Sequence, residues 1–220
     1  MEKGNNKNAV LLTVIGIATL LVAIVGATFA YFSAQVTYND GNSTLTIVSA
    51  SGGSSTYQGG EEIRVENIYP REAAWVQKAI KITYKNSTTT HDYTYQLSIN
   101  FANTFTNGYL TYEFKPIPYD AATGVCLSDG SKNATNCGAE LIKSTNNGTP
   151  VATKTGAFDN TNGTASSITL GNGVFAPTTG DTQAAHVYLL TIWFLNGTGN
   201  QNDAQGKALT ASVGYSEVHS

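Results

Sequence analysis

Three histidines, two cysteines and a few paired carboxylates are the side chains whose types could do chemistry in this chain, and their spacing arms none of them. His91 lies in a polar stretch, His186 opens an apolar run and His219 is next to last. None has a partner at metal-ligand spacing, and no HExxH occurs. There is no GxSxG and no Cys–His arrangement of the kind that activates a nucleophile. Glu61-Glu62 reads as the charged start of a strand. Each histidine reads as solvated or strand-edge, so no catalytic residue, metal ligand or cofactor site is expected. Cys126 and Cys137 bracket CLSDGSKNATNC. Outside the cell that spacing closes a small disulfide loop, and the turn formers Ser128-Asp129-Gly130 let the chain double back. Without a third cysteine or a nearby histidine, the pair is not a zinc site.

The chemistry that the sequence does prepare for is its own cleavage. Residues 9–32 carry no charge, and Lys3 and Lys7 against Glu2 make the preceding flank mildly positive. Val10 to Val25 suits the apolar region of an export signal, and Gly26, Ala27 and Ala30 supply the small residues that a signal peptidase needs. A cut after Ala30 places Thr28 at the third position before it and leaves Tyr31 as the new N-terminus. A cut after Ala27 places Val25 there instead. The competing reading is an uncleaved anchor, because about 20 apolar residues cross a bilayer. No Lys/Arg cluster follows as a stop-transfer signal, which favours cleavage. Either way the rest of the chain lies outside the cytoplasm.

Immediately after the apolar run the period changes. Phe32, Ala34, Val36 and Tyr38 alternate with Ser33, Gln35 and Thr37, which is a strand pattern. Without residues 1–30 the chain keeps 12 − 2 = 10 basic and 15 − 1 = 14 acidic residues, a net charge of −4. That balance argues against nucleic acid and against an anionic membrane surface as partners. Charged residues are 12% of the chain, so solubility rests on amides and hydroxyls. Such a surface repels its own copies weakly.

The elements that must carry these features are strands. The expected domains are residues 1–30, a signal or anchor helix, and residues 31–220, one β-sandwich with a loop-rich insert over about 120–182. Thr44 to Val48, Glu61 to Ile68, Ala79 to Lys85, Tyr93 to Phe101 and Leu110 to Phe114 alternate or run apolar. The seven residues NSTTTHD between Lys85 and Tyr93 suggest a hairpin with a long loop. Pro116 and Pro118 end their strand or set it at an edge. In the middle, Asn-Gly at 147–148 and 162–163 and Gly-Asn-Gly at 171–173 read as turns, with short strands at Glu140 to Lys143 and Ser167 to Leu170. His186 to Leu195 is apolar on both faces and should be a central strand. Lys207 to Val218 alternates, with Leu209, Ala211, Val213 and Tyr215 inward. A helical turn fits Pro70 to Trp75 or Asp181 to Ala185. Eight to ten strands with turns between them imply an all-β, jelly-roll-like antiparallel sandwich behind an N-terminal apolar helix.

Three stretches, in order, resemble the TasA/camelysin family of exported Gram-positive proteins. They are GATFAYFSA at the leader junction, Ile68-Tyr69-Pro70 … Trp75 … Ile80 to Asn86, and Tyr188 to Phe194 followed by Asn202 and Gln205-Gly206-Lys207. The resemblance covers the leader and about half of the domain, but not the middle. It implies a jelly roll, cleavage by a signal peptidase of the SipW type, and a place in biofilm matrix fibres. In such fibres the mature N-terminus is donated as a strand to the next subunit. Carried onto this chain, Ala30 precedes the cut, Tyr31 begins the mature protein, and Phe32, Ala34, Val36 and Tyr38 are the inward side chains of the donor strand. Partners are then the peptidase, the membrane through residues 9–30 before cleavage, and further copies or a related matrix subunit. The expected role is a secreted structural subunit of, or accessory to, extracellular fibres, and not an enzyme. Two other readings stand beside it: a membrane-anchored surface-binding domain with its helix uncleaved, and a camelysin-like secreted protease, for which the chain offers no recognisable zinc set.

Overall fold

The computed structural model describes residues 11–22, 38–39, 44–48, 53–59, 62–85, 92–118, 125–126, 141–142, 144, 148–176, 184–195, 197 and 201–218. The chain divides into two compact units, Met1–Val36 and Thr37–Ser220. In the first, residues 11–22 form a helix, α1, with every residue exposed, Leu12 at 74%. An apolar helix left exposed in this way is unsuited to water. Among the described residues no helix is long and apolar enough to cross a membrane.

Strand alternation builds the second unit. Its strands are β1 (Tyr38–Asn39), β2 (Thr44–Val48), β3 (Ser54–Gln58), β4 (Ile63–Glu66), β5 (Val76–Lys85), β6 (Tyr93–Asn103), β7 (Leu110–Ile117), β8 (Val125–Cys126), β9 (Leu141–Ile142), β10 (Lys154–Ala157), β11 (Ser166–Phe175), β12 (Ala184–Phe194) and β13 (Ala208–Val218). On β6 every odd residue from Tyr93 to Asn103 is buried, and the even ones are half-buried. On β13 Leu209, Ala211, Val213 and Tyr215 are buried, as their spacing implies. The inward sets of two antiparallel sheets meet in one core, making a sandwich.

One sheet has the order β1-β13-β6-β11, with β4 also on β13; the other runs β10-β7-β12-β5-β3-β2. Within them the pairing is nested: β4 with β13, β5 with β12, β6 with β11 and β7 with β10, all antiparallel. The chain is in effect folded double and then rolled, which is the jelly-roll arrangement. β12 lies between β5 and β7 and is buried on both faces, as its unbroken apolar run implies. Among the described residues β8 and β9 pair only with each other, in an excursion between β7 and β10. Ser144, which follows that excursion, wedges its hydroxyl between two strands. It donates to the Ile117 carbonyl at 2.6 Å and accepts the Val187 N–H at 3.0 Å.

Three sequence expectations are corrected. β5 and β6 do not form a hairpin; they lie in opposite sheets. A seven-residue link easily spans the ~10 Å between packed sheets, so its length did not specify pairing. Gly-Asn-Gly at 171–173 is not a turn but part of β11, at a register shift between Thr169 and Gly171. Gly171 has φ +143 and takes up the irregularity, while Gly173 faces the ring of Tyr95 directly across the ladder. Residues 70–75 form bends rather than a helical turn. Arg71 holds them: its guanidinium lies 3.5 Å over the Trp75 ring and donates to the carbonyls of Ala73 and Ala74. Among the described residues of this unit a short helix lies instead at Asn202–Ala204. β3, β8 and β10 have no counterpart among the expected strands. Pro116 does fall where a strand can tolerate it, on a part of β7 that β12 flanks but β10 does not reach.

One end of the sandwich is closed by Asn103, which is fully buried at the end of β6. Its Oδ1 accepts the Phe105 N–H at 3.0 Å, and its Nδ2 donates to the Asp159 carbonyl at 3.1 Å. Longer 3.5 Å contacts reach the carbonyls of Phe105 and Phe158. Its own carbonyl takes the Thr161 N–H at 2.9 Å. The turn that it ties down contains Asn162 and Gly163, both at positive φ, as the Asn-Gly pair implies.

Candidate functional site

The sheet edge beside β13 is covered in pieces. β4 pairs with Ala208 to Ala211, and β1 pairs with Gly214 and Tyr215. Ser212 and Val213 between them, and Ser216 to Val218 beyond, have no strand on that side among the described residues. Strand edges present backbone donors and acceptors to any chain that can pair with them. In the gap the edge is capped by a side chain: the Tyr57 hydroxyl, from the opposite sheet, donates to the Val213 carbonyl at 3.0 Å.

Beneath this edge lies a floor of tyrosines. Tyr57 stacks on Tyr215 with centroids 5.6 Å apart, and Tyr84 stacks on Tyr93 at 4.6 Å. A buried phenol needs a partner for its hydroxyl. Tyr215 donates to Ser55 Oγ at 2.7 Å, Ser55 is 2.7 Å from the Tyr93 hydroxyl, and Tyr93 is 2.5 Å from Tyr215. The three hydroxyls close a ring in which each donates to the next. Deeper in, Tyr95 lies 2.6 Å from His186 Nδ1 and 2.5 Å from the Tyr188 hydroxyl, which accepts the Val151 N–H at 2.9 Å. His186 is thus a core residue, 2% exposed, and not the solvated or strand-edge histidine that its position at the start of an apolar run implies.

Burial drives these phenols away from ionisation. It pushes Tyr93 and Tyr188 up from the ordinary value of 10 to about 12, and raises Tyr95 and Tyr215 further. Phenols favoured in the neutral form by the fold contribute stability that is whole below pH 10 and lost as pH rises towards 12. Alkaline titration should therefore show the absorbance of the buried phenolates appearing together with loss of circular dichroism. Phenolate absorbance that saturates while the fold stays intact would show these rings to be solvent-accessible.

Of the residues singled out in the sequence, Tyr38 is in β1, opposite Tyr215. Thr28, Ala30, Tyr31, Phe32, Ala34 and Val36 lie outside the described residues. Cys126 is in β8, opposite Leu141. Cys137 also lies outside them, as do Glu61, His91 and His219. The neighbouring Glu62 makes a 2.8 Å ion pair with Arg64 at the start of β4. Among the described residues no group of three His, Cys, Asp or Glu is placed to hold a metal. The tyrosine floor went unrecognised in the sequence. Its signal was there: Tyr57, Tyr93, Tyr95, Tyr188 and Tyr215 all occupy inward positions of strands, where a hydroxyl must find another polar group.

No family model matches this chain, and no curated protein matches it. Among solved structures, an arabinose-bound α-L-arabinofuranosidase, MgGH51, is similar over 86% of this chain and 24% of its own, at 8% identity and TM-score 0.25. This chain thus spans about a quarter of that enzyme's length. TmCBM61 in complex with β-1,4-galactotriose is similar over 85% of this chain and 90% of its own, at 6% identity and TM-score 0.24. At these scores neither likeness bears on what this chain binds.

Proposed function

We propose that this chain is an exported structural subunit of extracellular, matrix-type fibres, and that its copies join by strand addition after the leader is removed. The observation that carries the reading is β1, a short strand laid on the half-open edge of β13. Tyr38 stands opposite Tyr215 and Asn39 opposite Gly214, so β1 covers two residues of that edge. A strand carried by a neighbouring subunit would extend such pairing along the edge, with alternate side chains fixing register. The sparse charge of the surface also supports close self-association. The chain then acts as a building element and not as an enzyme, outside the cell, with a signal peptidase of the SipW type and further copies as partners.

Deleting residues 31–38 tests this. The exported variant should fold and stay monomeric, and because it can accept but not donate a strand, it should cap growing wild-type fibres. Normal fibres from the deletion would sink the proposal. A second reading, a surface-binding domain anchored by its uncleaved helix, draws on the exposed apolar helix α1. Mass spectrometry of the exported form separates the two. A mass beginning at Tyr31 supports the fibre subunit, and an intact Met1 supports the anchor.

A further inference from the structure

His186 sits on the inward face of β12 with its ring stacked 4.1 Å from Phe175 of β11, and the chain of hydrogen bonds that leads to its Nδ1 runs in one direction. The Val151 N–H can only donate, so the Tyr188 oxygen accepts from it. The Tyr188 hydrogen then has one acceptor, the Tyr95 oxygen. The Tyr95 hydrogen, in turn, has His186 Nδ1. Every donor is used only if Nδ1 carries no proton, which places the imidazole proton on Nε2.

Reversal fails. If Nδ1 were protonated it would donate to Tyr95, Tyr95 would donate to Tyr188, and the Tyr188 hydrogen would be left with only a donor, the Val151 N–H, beside it. Protonation would also bring a charge into a site that is 2% exposed. Tyr95 from β6 and Phe175 from β11 pack against the imidazole. Tyr188 of β12 shares the Tyr95 hydroxyl, and Tyr84, Tyr93 and Tyr215 lie in contact with these rings. Among the described residues two charged side chains, Glu217 and Lys78, are buried in the sandwich. Glu217 stands opposite Tyr95 on the ladder, and Lys78 lies six residues before Tyr84 on β5. The Phe175 face and Glu217 would both attract an imidazolium. Neither supplies the acceptor that the stranded hydroxyl needs.

We propose that His186 is an acid switch built into the sandwich: as the terminal acceptor of the relay Val151 → Tyr188 → Tyr95 → His186, it holds β12, β6 and β11 together while neutral and releases that seam when it takes up a proton. Nothing in this depends on the fibre reading. The subunit is firm at neutral pH and loosens in mild acid, first around the segment that carries Val151.

The test compares denaturant unfolding of the exported wild-type protein, His186→Asn and Glu217→Gln at pH 7.5 and pH 5.0. The Asn Oδ1 stands in for Nδ1 as an acceptor but does not ionise. For a histidine of ordinary acidity when unfolded, about 6.5, held neutral when folded, the wild-type unfolding constant should rise roughly thirtyfold across this range. His186→Asn should lose that rise and Glu217→Gln should keep it. An acid rise that survives in His186→Asn, or vanishes in Glu217→Gln, overturns the proposal. If His186→Asn does not fold, nitrogen-15 shifts of the wild-type imidazole decide. A protonated Nε2 and bare Nδ1, unchanged from pH 7.5 to 5.5 in the folded protein, support the relay; the opposite tautomer overturns it.

Discussion

Gly173→Ala should lower the stability of the domain by about 3 kcal/mol, the upper range for forcing one extra carbon into a packed core. A Cβ at residue 173 would stand 2.3 Å from Cζ of Tyr95 and 2.4 Å from its hydroxyl oxygen. Tyr95 cannot easily yield, because its hydroxyl is held by both His186 and Tyr188. β11 is the edge strand of its sheet and could move outward, but Phe175 two residues on is wedged against Tyr84, Tyr95 and His186. Thermal and denaturant melts measure the loss, and a double-mutant cycle assigns it. In a Tyr95→Leu background the same substitution should cost almost nothing further. A loss below about 0.5 kcal/mol in the wild-type background would mean that the edge strand shifts freely and the close approach is not a constraint.

Asn103→Ala should cost about 3 kcal/mol as well, by a different route, because it strands buried backbone groups instead of crowding them. The Phe105 N–H loses its acceptor, and the Asp159 carbonyl loses its donor. Asn103→Asp should be worse at pH 7. It keeps the acceptor but points a buried carboxylate at the carbonyls that the amide nitrogen served. Lowering the pH should relieve Asn103→Asp, since protonation restores a donor, and leave Asn103→Ala unchanged. Urea midpoints at pH 7 and pH 4 check this. Equal damage from both variants at both pH values would show that the amide's hydrogen bonds contribute little. Faster hydrogen exchange at Phe105 and Thr161 should accompany the loss.

The layers of the fold were legible because alternation is a local property. Ile80, Ile82 and Tyr84, the odd residues of β6, and Leu209 to Tyr215 could each be assigned to the inside from their own segment. Pairing is not local. Nothing in NSTTTHD distinguishes a hairpin from a link that crosses between sheets, and the nested order emerges only from contacts far apart in the chain. Gly-Asn-Gly was misread for the same reason. Its composition is that of a turn, and what makes it a strand is Tyr95 on another segment, which needs the space that a side chain would fill. His186 looked like a strand-end histidine until Tyr95 arrived from the facing sheet. The expected junction at Ala30-Tyr31, by contrast, rests wholly on consecutive residues and lies outside the described ones.

The nested pairing has a consequence for timing. β13 fills the position between β4 and β6 in its sheet, yet it follows both of them, and every other described strand, along the chain. Until those eleven residues arrive, β4 has no partner and β6 is paired on one side only. Contacts spanning most of the sequence also make for slow closure of the chain. A nascent chain therefore cannot complete this sheet until β13 has been made, and β4 and β6 keep open edges up to that point.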